Sequence, residues 1–412
     1  MTLEEFITAH QDDEIAVLLL SRDRFPEIDM ELAVSTIECR RKLRTKVPQW
    51  YGVPGMLYPS VLSAQQCSSS GTALYKAEVA AEAIGRGRIA DLTGGLGVDT
   101  WAFSQVASEV LYNEADKALS ESAANNFSRL GINNVSVRNN TLGKDNLKEV
   151  LGDFCPDLIY LDPARRASDG RKVFLLEQCL PDVLTLAGSI METCRFLLLK
   201  LSPMADITMA VSRLDAVSDG KVRDVHVVAS GGECKELLVM MDALHRGGHV
   251  LHVHESGSTL ILPPDDGDPL LPPSEDSLES LPGQFLFEPG KALAKAGAFN
   301  FPCSVYGMQK LARHTHLFTA KAIPDQLIPF GKCFIIKEIL PLNKKNIKVL
   351  GKRLQRAEVS SRNIRMTSDD LKGRIGIQSG GSVHIFGIRI DFGNGRSDNY
   401  LLVGERYFSQ NS

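Results

Sequence analysis

The chain has 412 residues, 43% hydrophobic and 23% charged, with a formal net charge of -4. That length exceeds one ordinary core and predicts two to four domains, in a composition typical of soluble globular proteins. No apolar run approaches the ~20 residues that cross a bilayer, and Met1-Thr-Leu-Glu-Glu-Phe6 lacks a basic-then-apolar signal, so a cytoplasmic protein without a membrane span is expected.

The 8 cysteines stand at 39, 67, 155, 179, 194, 234, 303 and 333, with no Cys-x-x-Cys. Such scatter predicts reduced thiols rather than a disulfide or zinc framework. The small net charge hides local sorting. Residues 255–290 hold eight acids and no Lys or Arg, whereas 332–374 hold twelve Lys or Arg against four acids. Sorting of that kind bears on partners more than the total does.

Residues 1–80 read as a helical region. Leu3, Phe6 and Ile7, then Ile15 to Leu20, then Leu32 to Ile37 recur at helical spacing. The basic run Arg40-Arg-Lys-Leu-Arg-Thr-Lys46 continues the last of these. Prolines 54 and 59 predict an extended crossing segment over Trp50–Pro59. A helix carrying Tyr75 and Lys76 should begin near Ser70.

Residues 81–254 alternate strands with helices, the texture of a parallel sheet. Strands are predicted at Arg88–Asp91, Val110–Asn113, Val135–Arg138, Leu158–Asp162 and Phe196–Leu201, with helices such as Leu119–Leu130 and Leu175–Ala187 between them. Val222–Ala229 and Lys235–Met241 are joined too closely for a parallel crossover, so they predict an antiparallel hairpin. Residues 255–330 read as a Pro-, Gly- and Asp-rich linker up to 284 and then a small mixed segment. Residues 331–412 read as a small α/β module: a strand at Cys333–Ile339, a basic helix at Lys344–Arg356, and strands near Ser382–Asp391 and Tyr400–Glu405.

Asp91-Leu-Thr93-Gly94-Gly95-Leu-Gly97-Val-Asp99 falls where the first strand ends and a helix must begin. Glycines there let backbone approach a ligand and expose amides at a helix N-terminus. The nicotinamide-dinucleotide fingerprint fails, because its last glycine is replaced by Thr100. Glu114 ends the second strand, where an acid can accept both hydroxyls of a ribose. Asn140 follows the third strand, placed to meet an adenine edge, and Asp162-Pro163 follows the fourth. Strand ends of a doubly wound sheet line one crevice, so these residues should converge. Capping and turn roles are the plain alternative, most of all for Asn140.

These motifs resemble those of class I S-adenosyl-L-methionine-dependent methyltransferases: Asp91 to Asp99 the first motif, Glu114 the ribose-binding acid, Asp162-Pro163 the fourth motif. With Gln65-Gln-Cys-Ser-Ser-Ser-Gly-Thr-Ala-Leu-Tyr-Lys76 ahead of the core, the whole chain is similar to a bacterial subfamily carrying a THUMP-like C-terminal domain, itself loosely similar to trimethylguanosine-synthase-type enzymes. The resemblance implies a Rossmann-like α/β core whose parallel sheet ends in an antiparallel hairpin, followed by a ferredoxin-like segment and a THUMP-like module. It implies S-adenosyl-L-methionine as cofactor, held by Asp91, Thr93, Gly94, Gly95, Gly97, Asp99, Glu114 and Asn140, and RNA as substrate class by analogy.

In-line methyl transfer needs orientation above all. Asp162 is assigned to accept a hydrogen bond from the nucleophile, with Pro163 stiffening the loop and the Ala164 carbonyl as a second acceptor. Ala164 and Arg165 replace the proline and aromatic of the amino-methylating pattern, so base stacking at that step is not expected. Arg165 and Arg166, with Arg171 and Lys172, could hold phosphate or lie on a solvated loop. Tyr75 or Lys76 is expected to line the cofactor or substrate entrance, and Lys200 to border the substrate side or form a salt bridge. His249-x-x-His252-x-His254 lacks the further ligands of a usual metal site, and none is expected there. Lys345, Lys348, Lys352 and Arg353 give one helix a positive face, and Arg40, Arg41, Lys42, Arg44 and Lys46 add a second basic surface in the leader. Together they favour RNA over a protein substrate. A methyltransferase of proteins or small molecules, and a non-catalytic RNA-binding protein on this fold, are the rivals. Oligomeric state is not legible.

Overall fold

The computed structural model describes residues 1–165 and 176–408. The chain forms two compact units, Met1–Val225 with Glu236–His249, and His226–Lys235 with Val250–Ser412. Among the described residues no helix is long and apolar enough to cross a membrane, and all eight cysteines are free.

The first unit opens with helices Leu3–Ala9, Ile15–Leu20, Met30–Lys46, Pro48–Tyr51, Val61–Gln66 and Ser70–Ile84. Side-chain caps set several starts: Thr2 and Glu5 form a capping box, Asp29 accepts from the Leu32 amide, and Ser69 from the Thr72 amide. Phe6, Leu18, Met30, Val34 and Ile37 pack into one cluster. Trp50 is not extended but helical, because Pro48 is pre-set for a first helical turn. The remainder of that crossing segment is bolted to the core by Asn126, which accepts from the Leu57 amide at 2.8 Å and donates to the Leu57 carbonyl at 2.8 Å.

The leader's basic run is largely committed. Arg40 donates to the Tyr51 carbonyl, Arg41 to those of Gln11 and Asp13, Lys42 pairs with Glu38, and Lys46 reaches the Gln65 carbonyl. Arg40, Arg41 and Lys46 tie this helix to neighbouring segments and Lys42 pairs within it, which weakens the expectation of a free cationic surface there.

The sheet of the first unit comprises β1 (Arg88–Asp91), β2 (Glu109–Asn113), β3 (Val135–Arg138), β4 (Leu158–Leu161), β5 (Phe196–Leu201) and the first-unit parts, 222–225 and 236–242, of β6 (Val222–Ser230) and β7 (Glu233–Asp242). Their order is β3-β2-β1-β4-β5-β7-β6. The first five are parallel, and β7 runs antiparallel to β5. Leu158 to Leu161 are buried throughout, as expected of a strand covered on both faces. Helices Val98–Ser104, Lys117–Arg129, Leu147–Leu151, Val183–Thr193 and Ile207–Ser218 make the crossovers.

One crossover differs from expectation. Leu175 lies outside the described residues, and the helix predicted from it starts only at Val183, behind an Asp182 cap. Pro181 offers no amide and biases Leu180 towards extended backbone, so Cys179–Leu180 instead pairs with Ala164–Arg165.

In the second unit, β8 (Val250–Glu255) and β9 (Ser258–Leu262) form an antiparallel hairpin. The linker read from 255 therefore begins as a strand pair. A seven-stranded sheet follows, built from β10 (Phe285–Pro289), β11 (Gln309–Lys310), β12 (Phe318–Ala320), β13 (Gly331–Pro341), β14 (Glu358–Arg362), β15 (Val383–Asp391) and β16 (Ser397–Tyr407). Its order is β11-β12-β10-β13-β16-β15-β14. Leu286, Phe334, Phe386 and Leu402 lie in one core, and Leu350, Leu371 and Leu401 in another beneath helices Lys344–Arg353 and Ser368–Ile375.

Removing the Asn126 side chain strands both polar groups of Leu57. Asn126→Ala should lower the stability of the first unit by about 2–3 kcal/mol in urea melts, against at most about 1 kcal/mol for Asn125→Ala, a less buried residue whose Nδ2 is shared between the Gly55 carbonyl at 2.9 Å and Asn126 Oδ1 at 3.1 Å. Equal effects would show that Asn126 is not the fastening.

Candidate active site at the strand tips

β1 delivers Asp91 into the interior, not into an open crevice. Its Oδ1 accepts from the Thr93 amide at 3.1 Å and its Oδ2 from the Thr100 hydroxyl at 2.6 Å. Burial pushes this carboxyl up to about 8, and the hydrogen bond from Thr100 only partly opposes that. Thr93 turns outward from the same loop and accepts from the Asp162 amide at 2.6 Å, joining the tips of β1 and β4.

The glycines serve the loop itself. An added Cβ on Gly94 would stand 2.1 Å from the Tyr112 ring, and Gly97 takes a φ of 85° to start the next helix. Their amides were expected to face a ligand, but Gly94 donates to the Asn113 carbonyl at 2.9 Å, Gly95 to Glu114 Oε2 at 2.8 Å, and Gly97 to the Gly94 carbonyl at 2.9 Å. The loop is thus no ready anion cradle.

Glu114 is half-buried, with Oε1 accepting from the Asp116 amide at 2.8 Å. A carboxylate oxygen that accepts one N–H keeps room for a second donor. The Asn140 side chain is exposed. Its backbone is held by Asn113, whose Oδ1 accepts the Asn140 amide at 3.1 Å and whose Nδ2 donates to the Asn140 carbonyl at 3.0 Å. Asn113 escaped the sequence reading; a polar residue closing the otherwise apolar second strand was the available signal.

Asp99 points away from the loop into a buried charge cluster. Its Oδ2 accepts from Ser68 at 3.0 Å and Tyr160 at 2.9 Å, and its Oδ1 lies 3.3 Å from Lys76 Nζ. Burial alone would raise this carboxyl, but Lys76, Lys200 and the two hydroxyls hold it below the usual range. Lys76 is itself fully buried, 2.6 Å from Glu236 Oε1. Tyr75 is buried too, so neither residue lines an open entrance; their helix faces inward along Ala73, Tyr75, Lys76, Ala77 and Ala80. Burial pushes the Glu236 carboxyl up despite both lysines. Glu236 and Tyr160 were missed as well.

Asp162 is partly exposed at the β4 tip, with Oδ2 2.5 Å from Lys200 Nζ. Burial disfavours the Lys200 ammonium, yet Asp162, Glu236 and Asp99 together drive its pKa upward. Pro163 is buried and Ala164 exposed. Arg165 contributes backbone pairing, and Arg166, Arg171 and Lys172 lie outside the described residues.

In the second unit, Lys345, Lys348, Lys352 and Arg353 are exposed on the Lys344–Arg353 helix, opposite buried Ile347 and Leu350. Arg353 pairs with Glu338, whereas Lys345, Lys348 and Lys352 have no acidic partner among the described residues. His252 stacks on His226 with centroids 4.3 Å apart, and His254 bonds Thr259 at 2.9 Å.

Two family models match the chain, a ferredoxin-like domain over residues 285–327 and a THUMP domain-like family over 331–406. Among solved structures, a candidate methyltransferase from Porphyromonas gingivalis W83 is similar over 98% of this chain and 98% of its own, at 29% identity and a TM-score of 0.81. An rRNA methylase from Streptococcus thermophilus matches over 42% of this chain and 95% of its own, at 16% identity and a TM-score of 0.30. The 16S rRNA N2 G1207 methyltransferase of T. thermophilus, in complex with AdoMet and guanosine, matches over 44% and 43%, at 15% and 0.30. No curated protein matches. The core has the Rossmann-like methyltransferase fold, followed by ferredoxin-like and THUMP-like domains. The two C-terminal matches share one sheet, because β10 pairs with β13.

Asp91 makes the loop's stability depend on pH. Between the ordinary 3.8 and about 8 the folded chain holds a proton that the unfolded chain has lost, so stability falls as pH rises through that window and levels off above it. Asp91→Asn removes this dependence. In urea melts its stability relative to the parent should improve from about pH 5 to about pH 8, by up to about 1.4 kcal/mol per unit, and then stay constant. A difference that ignores pH would show that Asp91 is charged in the fold.

Proposed function

We propose that this chain is an S-adenosyl-L-methionine-dependent methyltransferase acting on a nucleoside in RNA. One observation carries the reading. The loop after β1 is clasped to Glu114 through the Gly95 amide and to Asp162 through Thr93, so a ribose-holding acid and an Asp-Pro step flank one glycine turn.

The residues fit that cofactor. Glu114 has acceptor capacity left for ribose hydroxyls, and an added Cβ on Gly95 would meet nothing nearer than the Thr93 carbonyl at 4.0 Å, so the turn is open above it. A dinucleotide is less well served, since the loop amides that would hold a pyrophosphate are already bonded within the protein. When bound, S-adenosyl-L-methionine supplies a methyl group already activated on a sulfonium sulfur. The protein has to orient the acceptor and exclude water. Asp162 accepts the acceptor's N–H or O–H, and Pro163 fixes the direction of the step. Asp91 shapes the loop from inside, whereas Asp99 and Lys76 belong to the buried charge cluster and Tyr75 is buried on the same helix as Lys76.

RNA is favoured by the uncompensated lysines of the THUMP-like module. A helix that buries Ile347 and Leu350 and leaves Lys345, Lys348 and Lys352 without an acidic partner among the described residues is suited to a phosphate backbone. The leader contributes less, because Arg40, Arg41 and Lys46 are committed to carbonyls and Lys42 to Glu38.

Calorimetry tests the cofactor. The protein should bind S-adenosylhomocysteine, and Glu114→Ala should weaken that about 10–100-fold, as loss of charge-assisted hydrogen bonds implies; no heat with the parent protein would end the proposal. RNA capture is tested separately by titrating a labelled single-stranded 20-mer at several salt concentrations. Replacing Lys345, Lys348 and Lys352 by Gln should flatten the log–log salt slope by about 2, from ~0.7 per phosphate contact. An unchanged slope would remove this helix from the RNA surface and favour a protein or small-molecule acceptor.

A further inference from the structure

Two lysines stand behind the strand tips of the first unit, and loop construction does not call for either. Lys76 is wholly buried, with Nζ 2.6 Å from Glu236 Oε1, 3.3 Å from Asp99 Oδ1 and 3.0 Å from Ser68 Oγ. Lys200 is 13% exposed, with Nζ 2.5 Å from Asp162 Oδ2 and 4.0 Å from Glu236 Oε2. Glu236 therefore faces both ammonium groups, one with each oxygen. The result is a row of alternating charges, Asp162–Lys200–Glu236–Lys76–Asp99, drawn from β4, β5, β7 and two helices.

A row like this is a poor way to gain stability. Each ion taken out of water costs several kcal/mol, and well-packed apolar residues often serve as well. Lys200 interrupts Phe196-Leu-Leu-Leu-Lys-Leu201, a strand whose other members are all buried. The charges of Lys200, Glu236, Lys76 and Asp99 cancel and are largely buried, whereas the outer end emerges at Asp162, whose side chain is 35% exposed. Asp162 Oδ2 is taken by Lys200; its Oδ1 has no hydrogen-bond partner among the described residues.

We propose that Lys200 is a positioning residue of the transfer site: anchored from behind by Glu236 and Lys76, its ammonium holds the Asp162 carboxylate in one orientation and leaves Oδ1 to accept the N–H or O–H of the methyl acceptor. The proposal rests on the methyltransferase reading above and deepens it. It also accounts for the Asp-Pro step working without the aromatic that would otherwise locate the acceptor: orientation comes from a fixed carboxylate in place of a stacking ring. An ammonium has three donors, so Lys200 can bond Asp162 while facing Glu236 and still offer a third hydrogen to a carbonyl on the acceptor.

The test compares Lys200→Met and Lys200→Arg with the parent in the full chain. Three readouts are taken: thermal stability, affinity for S-adenosylhomocysteine by calorimetry, and single-turnover transfer of labelled methyl to total RNA from cells lacking the protein. Lys200→Met should slow transfer at saturating RNA about 100-fold, the scale of a small misplacement at a reacting centre, with the RNA concentration dependence and S-adenosylhomocysteine affinity within about threefold of the parent. Lys200→Arg should restore at least about a tenth of the parent rate. Transfer by Lys200→Met within about threefold of the parent overturns the proposal. So does a rate loss that is equal in both variants and matched by lost affinity or stability, because that pattern is structural. Should the parent bind S-adenosylhomocysteine but not methylate RNA, only the acceptor assignment fails. Crystal structures of the parent and Lys200→Met complexes with S-adenosylhomocysteine then decide, since an Asp162 rotamer unchanged in the variant overturns the positioning role and a changed one supports it. A parent that does not bind S-adenosylhomocysteine sinks both readings.

Discussion

Parallel strands end with backbone groups that have no further ladder to join, and buried groups of that kind must find partners. Here the tips satisfy one another. The Thr93 hydroxyl takes the Asp162 amide, Glu114 takes the Gly95 amide, the Asn113 carbonyl takes the Gly94 amide, and the Tyr112 hydroxyl donates to the Gly95 carbonyl at 2.6 Å. The loop is consequently shaped before any ligand arrives. Its glycines permit the Tyr112 ring and the helix start to close in, and the price is an anion site that never opens. What remains outward is acceptor capacity on carboxylates. That inventory suits hydroxyls and a cation far better than it suits phosphate.

The same accounting explains what could be seen in the sequence. The limits of β1, β3 and β5 coincide with expectation for different reasons: β5 is an almost wholly buried apolar run, whereas β3 is a partly exposed edge strand read from the alternation Val135-Ser-Val-Arg138 and the turn residues that bound it. Asp91, Glu114 and Asp162 could be placed by counting from strand ends. Polar and hidden elements could not. Glu358-Val-Ser-Ser-Arg362 forms β14 without an apolar alternation, and the turn between β8 and β9 is made by Ser256-Gly257 inside a stretch that reads as linker. Glu236 and Lys200 show a subtler limit. Lys200 was visible as a charge inside an apolar strand, which must find a partner, whereas Glu236 stands beside Lys235 and Glu233 at the polar start of its strand. Which partner depended on β7 lying beside β5, a fact of topology that spacing does not carry.

Charge in sequence is also not charge available to a ligand. Arg40, Arg41 and Lys46 look like Lys345, Lys348 and Lys352 in any count of basic residues. The first group gives its donors to carbonyls exposed where helices end, the role that orphan groups at helix termini invite, and each such bond reduces what remains for a phosphate. The second group lies on a helix whose inward face is supplied by Ile347 and Leu350, and its ammonium groups keep their counterions until an anion displaces them. Electrostatic affinity for a polyanion comes from that release, not from the tally of basic residues. A chain whose net charge is -4 can therefore still bind RNA, provided that its acids are engaged elsewhere or its lysines are grouped where no acid answers them.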